Sequence, residues 1–117
     1  MRTIYIADDG KQFDNCWDCE EYEFVLHNRT IEDITFIDEH GLILNLPDGY
    51  NIEDIIRITD KAYRVIIPDK RSLDALQNYC TEGIPCVYGQ INSPGEWKFV
   101  LVDDGTHFGK ETFVKVR

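Results

Sequence analysis

The sequence predicts an α+β fold, a single compact domain in which two to three helices pack on a mainly antiparallel sheet. Three observations predict it. Short apolar runs alternate with period two, and several stand beside a second run across a turn rich in Asp, Gly or Pro. Between these hairpins lie stretches whose apolar residues repeat every three or four positions, the spacing of a helix face. Strands and helices do not alternate regularly, as a doubly wound parallel fold would require.

Taken in order, residues 3–7 (TIYIA) alternate as a half-buried strand, and Asp8-Asp9-Gly10 supplies a turn before Phe13 returns toward the core. Asp14 or Asn15 caps a first helix, with Asp18 three residues on in a variant of the capping box. Cys19, Tyr22, Val25 and Leu26 form its expected buried stripe, and fraying is expected near residues 27–29. Residues 34–37 and 42–46 read as a second hairpin bent at Gly41. Asn51 caps a short helix through Ile52, Ile55 and Ile56. Residues 62–67 form a β-branched strand ended by Pro68. Asp69 caps a third helix through Leu73, Leu76, Tyr79 and Cys80, with Gly83 as its stop. Residues 85–95 read as loop, with a short strand at 86–88. Residues 97–102 and 112–116 form a closing hairpin around a Gly-rich loop at 103–110. The order is β-β-α-β-β-α-β-α-β-β.

At 117 residues the chain is expected to be one domain, residues 1–117, able to bury a core without metals or disulfides. No apolar run approaches the roughly 20 residues that span a bilayer. The N-terminus carries no signal-peptide pattern, because its apolar run stops at Ala7. The expected location is therefore the cytoplasm, where four cysteines stay as thiols. Net charge is −10 and unevenly spread. Residues 1–60 hold 15 Asp and Glu against Arg2, Lys11, Arg29 and Arg57, a balance of −11, while residues 61–117 sum to +1. Such a distribution disfavours direct nucleic-acid binding, which needs clustered Lys and Arg, and favours a basic protein surface as partner.

Motifs with recognisable chemistry are few. Cys16-Trp17-Asp18-Cys19 is a Cys-x-x-Cys at a helix N-terminus, where redox pairs gain acidity. Its neighbours Asp14, Asp18, Glu20 and Glu21 act in the opposite direction. Zinc could use Cys16 and Cys19 with Cys80 and Cys86, but the second spacing is too wide for a usual knuckle, so no metal is expected. Residues 8–19 lack the bidentate Glu of a calcium loop. His27, His40 and His107 are far apart, and no catalytic triad or phosphate-loop spacing is present. The expectation is a non-enzymatic protein with no catalytic residues and no cofactor.

Tyr5, Ile6, Ala7, Asp9, Gly10 and Phe13, followed by Cys19, Tyr22 and Glu23, give the pattern Tyr-Ile-Ala-x-Asp-Gly-x-x-Phe with a helix bearing Cys-x-x-Tyr-Glu. The pattern resembles the opening of small, mostly uncharacterised proteins of phages and mobile elements in Gram-positive and gut bacteria. That resemblance implies a phage or mobile-element setting and no particular activity. Together with the acidic first half it leads to the expected function: a small acidic binding protein. In sharper form it inhibits host defence, in the manner of an anti-CRISPR, by occupying a basic nucleic-acid-binding surface of a host nuclease. Asp14, Trp17, Asp18, Glu20, Glu21 and Phe24, extended by Asp8 and Asp9, are the expected contact residues. The two aromatics are the expected anchors. The alternatives are a thiol-redox or zinc protein using Cys16 and Cys19, or a structural phage domain.

Overall fold

Residues 3–102 and 110–116 are described by the structure, a computed structural model. The chain runs β1 (Tyr5–Ile6), β2 (Gln12–Phe13), α1 (Cys16–His27), β3 (Thr35–Ile37), β4 (Ile43–Leu44), α2 (Ile52–Lys61), β5 (Arg64–Ile67), α3 (Lys70–Tyr79), β6 (Gly95–Val102) and β7 (Lys110–Lys115). Element order agrees with the sequence reading throughout. Residues 103–109, with His107, where a Gly-rich loop is expected, lie outside the described residues. Among the described residues no helix is long and apolar enough to cross a membrane.

The antiparallel strands form two sheets rather than one: β1-β2 alone, and a five-stranded sheet ordered β4-β3-β5-β6-β7. Both α2 and α3 cover the same face of the larger sheet. Phe36, Val65, Ile67, Trp97 and Phe113 point inward from the strands and meet Ile55 and Ile58 of α2 and Leu73, Leu76 and Tyr79 of α3 in one hydrophobic core. Alternation turns the next residues outward. In that outer row Arg64 stands directly opposite Lys98. Ile37 lies beside Arg64 and Val114 beside Lys98.

Local chemistry explains the boundaries. Asn51 and Asp54 complete a reciprocal capping box, with Asp54 N–H to Asn51 at 3.0 Å and Asn51 N–H to Asp54 at 3.1 Å. Asp69 caps α3 by accepting from Ser72 N–H at 2.8 Å. Gly41, with φ of 83°, makes the β3-β4 bend, a backbone region that a side chain would strain.

Four expectations are corrected. The 86–88 segment is a 3-10 turn, Cys86–Gln90, not a strand. Tyr88 N–H bonds Pro85 C=O and Ile91 N–H bonds Tyr88 C=O, both at 3.1 Å, which withdraws those groups from any ladder. The chain does not simply fray after α1. Asn28 ends the helix and a 3-10 turn, Arg29–Asp33, follows at once, carrying the fully buried Ile31 into the core. The first strand is not half-buried: Ile4, Tyr5 and Ile6 are exposed and only Ala7 is covered, because the small hairpin stands apart from the main sheet. Within the predicted α1 stripe, Cys19 alone is buried; Tyr22, Val25 and Leu26 are half-exposed and wall a cleft instead.

α1 joins the core at its C-terminal end. Phe24 sets its ring edge-on against Tyr79, centroids 4.9 Å apart. The buried Asn28 side chain donates to Phe24 C=O at 2.9 Å and accepts from Asn78 Nδ2 at 2.8 Å, tying the helix end to α3.

Candidate functional site

The N-terminal end of α1 is built by Asn15. Its Oδ1 accepts from Asp18 N–H at 2.8 Å, and its Nδ2 donates to the Asp18 carboxylate at the same distance. Asp18 therefore answers the cap side chain to side chain, where a full capping box would reach the cap's backbone N–H. This start puts Trp17 in the first turn with nothing over it: 76% of its surface is exposed. Asp14 lies three residues before it, Glu20 and Glu21 three and four after, and all three are exposed. Within the helix Trp17, Glu20 and Glu21 share a face, with Cβ atoms about 5–6 Å apart, and Asp14 stands just before the N-cap Asn15. An apolar plate ringed by carboxylates is the result.

The hairpin turn adds Asp8 and Asp9 to the same helix, further along. The Tyr22 hydroxyl donates to the Asp9 carboxylate, and His27 Nε2 lies 2.6 Å from Asp8. That hydrogen bond from Tyr22, with help from Lys11 N–H, holds the Asp9 carboxyl below its usual range. The same bond, followed by desolvation, pushes the Tyr22 phenol up.

Phe24 is a correction. The expected anchor is half-buried and packed on Tyr79 and the core, so it holds α1 in place and offers no free ring to a partner. It lies two turns along the same helix stripe as Trp17, at the end of α1 that meets the core.

A cleft of about 550 Å³ opens between α1 and the loop 46–51, and no local pattern of residues marks it. Asp18, Glu21, Tyr22, Val25, Leu26 and Arg29 form one wall at helical spacing, and Leu46, Pro47, Asp48 and Tyr50 form the other. Arg29 Nε reaches back to Glu32 at 3.2 Å, and Lys11 Nζ sits 4.8 Å from the centre of the Tyr22 ring. Among the described residues Glu21 and Asp48 have no ion pair. The Arg29–Glu32 pair was readable as an i,i+3 spacing; that it would face Pro47-Asp48-Gly49-Tyr50 was not.

Behind the cleft, the hydroxyls of Tyr50 and Tyr79 are sealed from solvent and have no partner in hydrogen-bond geometry among the described residues. Burial, and then the nearby Glu32 charge, pushes the Tyr50 phenol up to about 12. Burial does the same to Tyr79 and Tyr88. The native state therefore holds protons that the unfolded chain releases from about pH 10 upward. Stability from these phenols is complete below that pH and is lost as pH rises toward and through the folded values. An ultraviolet phenolate titration should place Tyr22, Tyr50, Tyr79 and Tyr88 above the ordinary value. Denaturant midpoints should fall steeply between about pH 10 and 12, and less steeply in Tyr50→Phe. A titration with all six tyrosines at the ordinary value would contradict the buried geometry.

The thiols are arranged differently from an activated pair. Burial, followed by Glu23, Glu20 and Asp8, pushes the Cys19 thiol up, whereas activation needs it lowered. Burial also raises Cys80. Among the described residues no three His, Cys, Asp or Glu side chains converge as a metal site would need. Comparison of the chain with protein-family models, curated proteins and solved structures returned no match.

Proposed function

We propose that this chain is a small acidic binding protein of phage or mobile-element origin. It inhibits host defence in the anti-CRISPR manner, without catalysis, by laying the Trp17 face of α1 on a basic nucleic-acid-binding surface of a host nuclease. The observation that carries this reading is the exposed Trp17 set among Asp14, Glu20 and Glu21. A flat aromatic is a usual interface anchor, and carboxylates around it steer a basic partner and stand where its phosphate ligand would. The −11 balance of the first 60 residues supplies the longer-range field.

The test is inhibition of an RNA-guided host nuclease, measured with and without competing DNA. Trp17→Ala is expected to weaken binding about 30-fold, a hot-spot loss near 2 kcal/mol. Asp14→Lys with Glu20→Lys is expected to slow association at least tenfold, more at low than at high salt. These positions avoid Asp18, which serves the helix cap, and Glu21, which also lines the cleft. Unchanged inhibition in both variants, or inhibition indifferent to DNA, would sink the reading.

A further inference from the structure

The cleft between α1 and the loop 46–51 has the attributes of a socket for one kind of side chain. Its volume, about 550 Å³, is that of a ligand-sized site. Leu26, Leu46 and Pro47 give it apolar walls, and Tyr22 and Tyr50 line it with aromatic surface. Glu21 stands on one wall and Asp48 on the other, both exposed at the rim and neither ion-paired among the described residues. The cleft's own cations already have partners within the lining, Arg29 with Glu32 and Lys11 over Tyr22. Four carboxylates against two cations leave the lining net negative. An occupant needs an aliphatic stem for the walls and a positive head for the rim. It also needs several donors splayed in a plane, to serve carboxylates on both sides at once. Lysine has the stem and the charge but a single point of attachment; a guanidinium has the fork.

We propose that this cleft receives an arginine side chain presented by the partner protein, its stem between Leu26 and Pro47 and its guanidinium between Glu21 and Asp48. The proposal rests on the reading of the chain as an acidic binder of a basic surface, and it names the residue type on that surface that is gripped. An anionic group entering the same cleft would meet two uncompensated carboxylates and be repelled. Trp17 and the cleft residues Glu21 and Leu26 lie on the same helix.

The test uses the whole chain without a partner, and N-acetyl-arginine methylamide as probe, followed by amide chemical shifts. Saturable shifts are expected at Glu21, Leu26, Asp48 and Gly49. The neutral citrulline analogue should produce at most a tenth of the effect at equal concentration, and the lysine analogue should bind several-fold more weakly. Asp48→Asn should reduce arginine affinity about fivefold while leaving the thermal midpoint in place, because Asp48 is exposed and makes no ion pair. Equal shifts with citrulline, shifts confined to residues away from the cleft, or stronger binding of benzoate would each overturn the proposal. The two readings fail separately. Arginine binding in the cleft combined with nuclease inhibition indifferent to Trp17, Asp14 and Glu20 removes the inhibitor reading alone. Inhibition that depends on those residues, with no arginine response, removes the socket alone.

Discussion

Tyr88→Ala is expected to cost about 4 kcal/mol, the scale for deleting a buried aromatic ring, which is much of the 5–15 kcal/mol that stabilises an ordinary domain. The ring is 1% exposed and lies 4.8 Å from Phe113 between centroids. Its hydroxyl donates to Thr59 C=O at 2.7 Å. Thr59 is in the last turn of α2, where carbonyls have no partner within the helix. Tyr88 thus joins the end of α2 to the last strand from a loop that belongs to neither. Tyr88→Phe keeps the ring and leaves that carbonyl without its donor, for an expected loss of about 1–2 kcal/mol. Chemical denaturation of both variants checks the partition. A loss under about 1 kcal/mol for alanine would mean that the 86–90 turn is not part of the central core.

Phe24→Ala is the second large effect, about 2–3 kcal/mol, less than for a fully buried ring because this one is half-buried. Its distribution matters as much as its size. Phe24 and Asn28 sit together at the end of α1 that meets α3, so losing the ring weakens the attachment of α1 more than the sheet. Amide exchange should accelerate first across residues 5–27 while β5 and β6 keep their protection, the pattern of a sub-global opening. Trp17→Ala, by contrast, should stay within about 0.5 kcal/mol of the parent stability, since its ring covers nothing. Uniform acceleration in Phe24→Ala would show that α1 and the sheet open as one unit. The pair of variants separates an aromatic that packs from one that waits for a partner.

What could be read from the sequence was what is decided locally. Asn51 and Asp69 as caps and Gly41 at its bend each settle their own few residues, and all three were legible; the caps' partners Asp54 and Ser72 came with the structure. The order of elements followed from the caps and the bend. The orientation of α1 was not legible, for a physical reason. Cys19, Tyr22, Phe24, Val25 and Leu26 are distributed around the helix, so no single stripe dominates, and the choice of face falls to distant Tyr79 and Asn78. Ile31 was missed because a 3-10 turn of five residues shows no periodicity. Of the expected site residues, Trp17, Glu20 and Glu21 are exposed together on α1, with Asp14 just before it. Asp18 serves the cap, Asp8 and Asp9 serve His27 and Tyr22, and Phe24 serves the core. The cleft depends on where the loop 46–51 lands, a tertiary fact with no local signature.

The outer row of the main sheet has one further consequence. Arg64 opposite Lys98 is a like-charge pair across two strands, an arrangement that costs some stability. Around it Ile37, Ile66 and Val114, together with Ile43 on the short edge strand, give the outer face an apolar part, and Glu96 stands opposite Ile66 on the same face. Stacking two such faces would bury Arg64, Lys98 and Glu96 of both molecules in one dry seam. The pair is therefore a guard against aggregation, placed in the middle of the surface that most needs one.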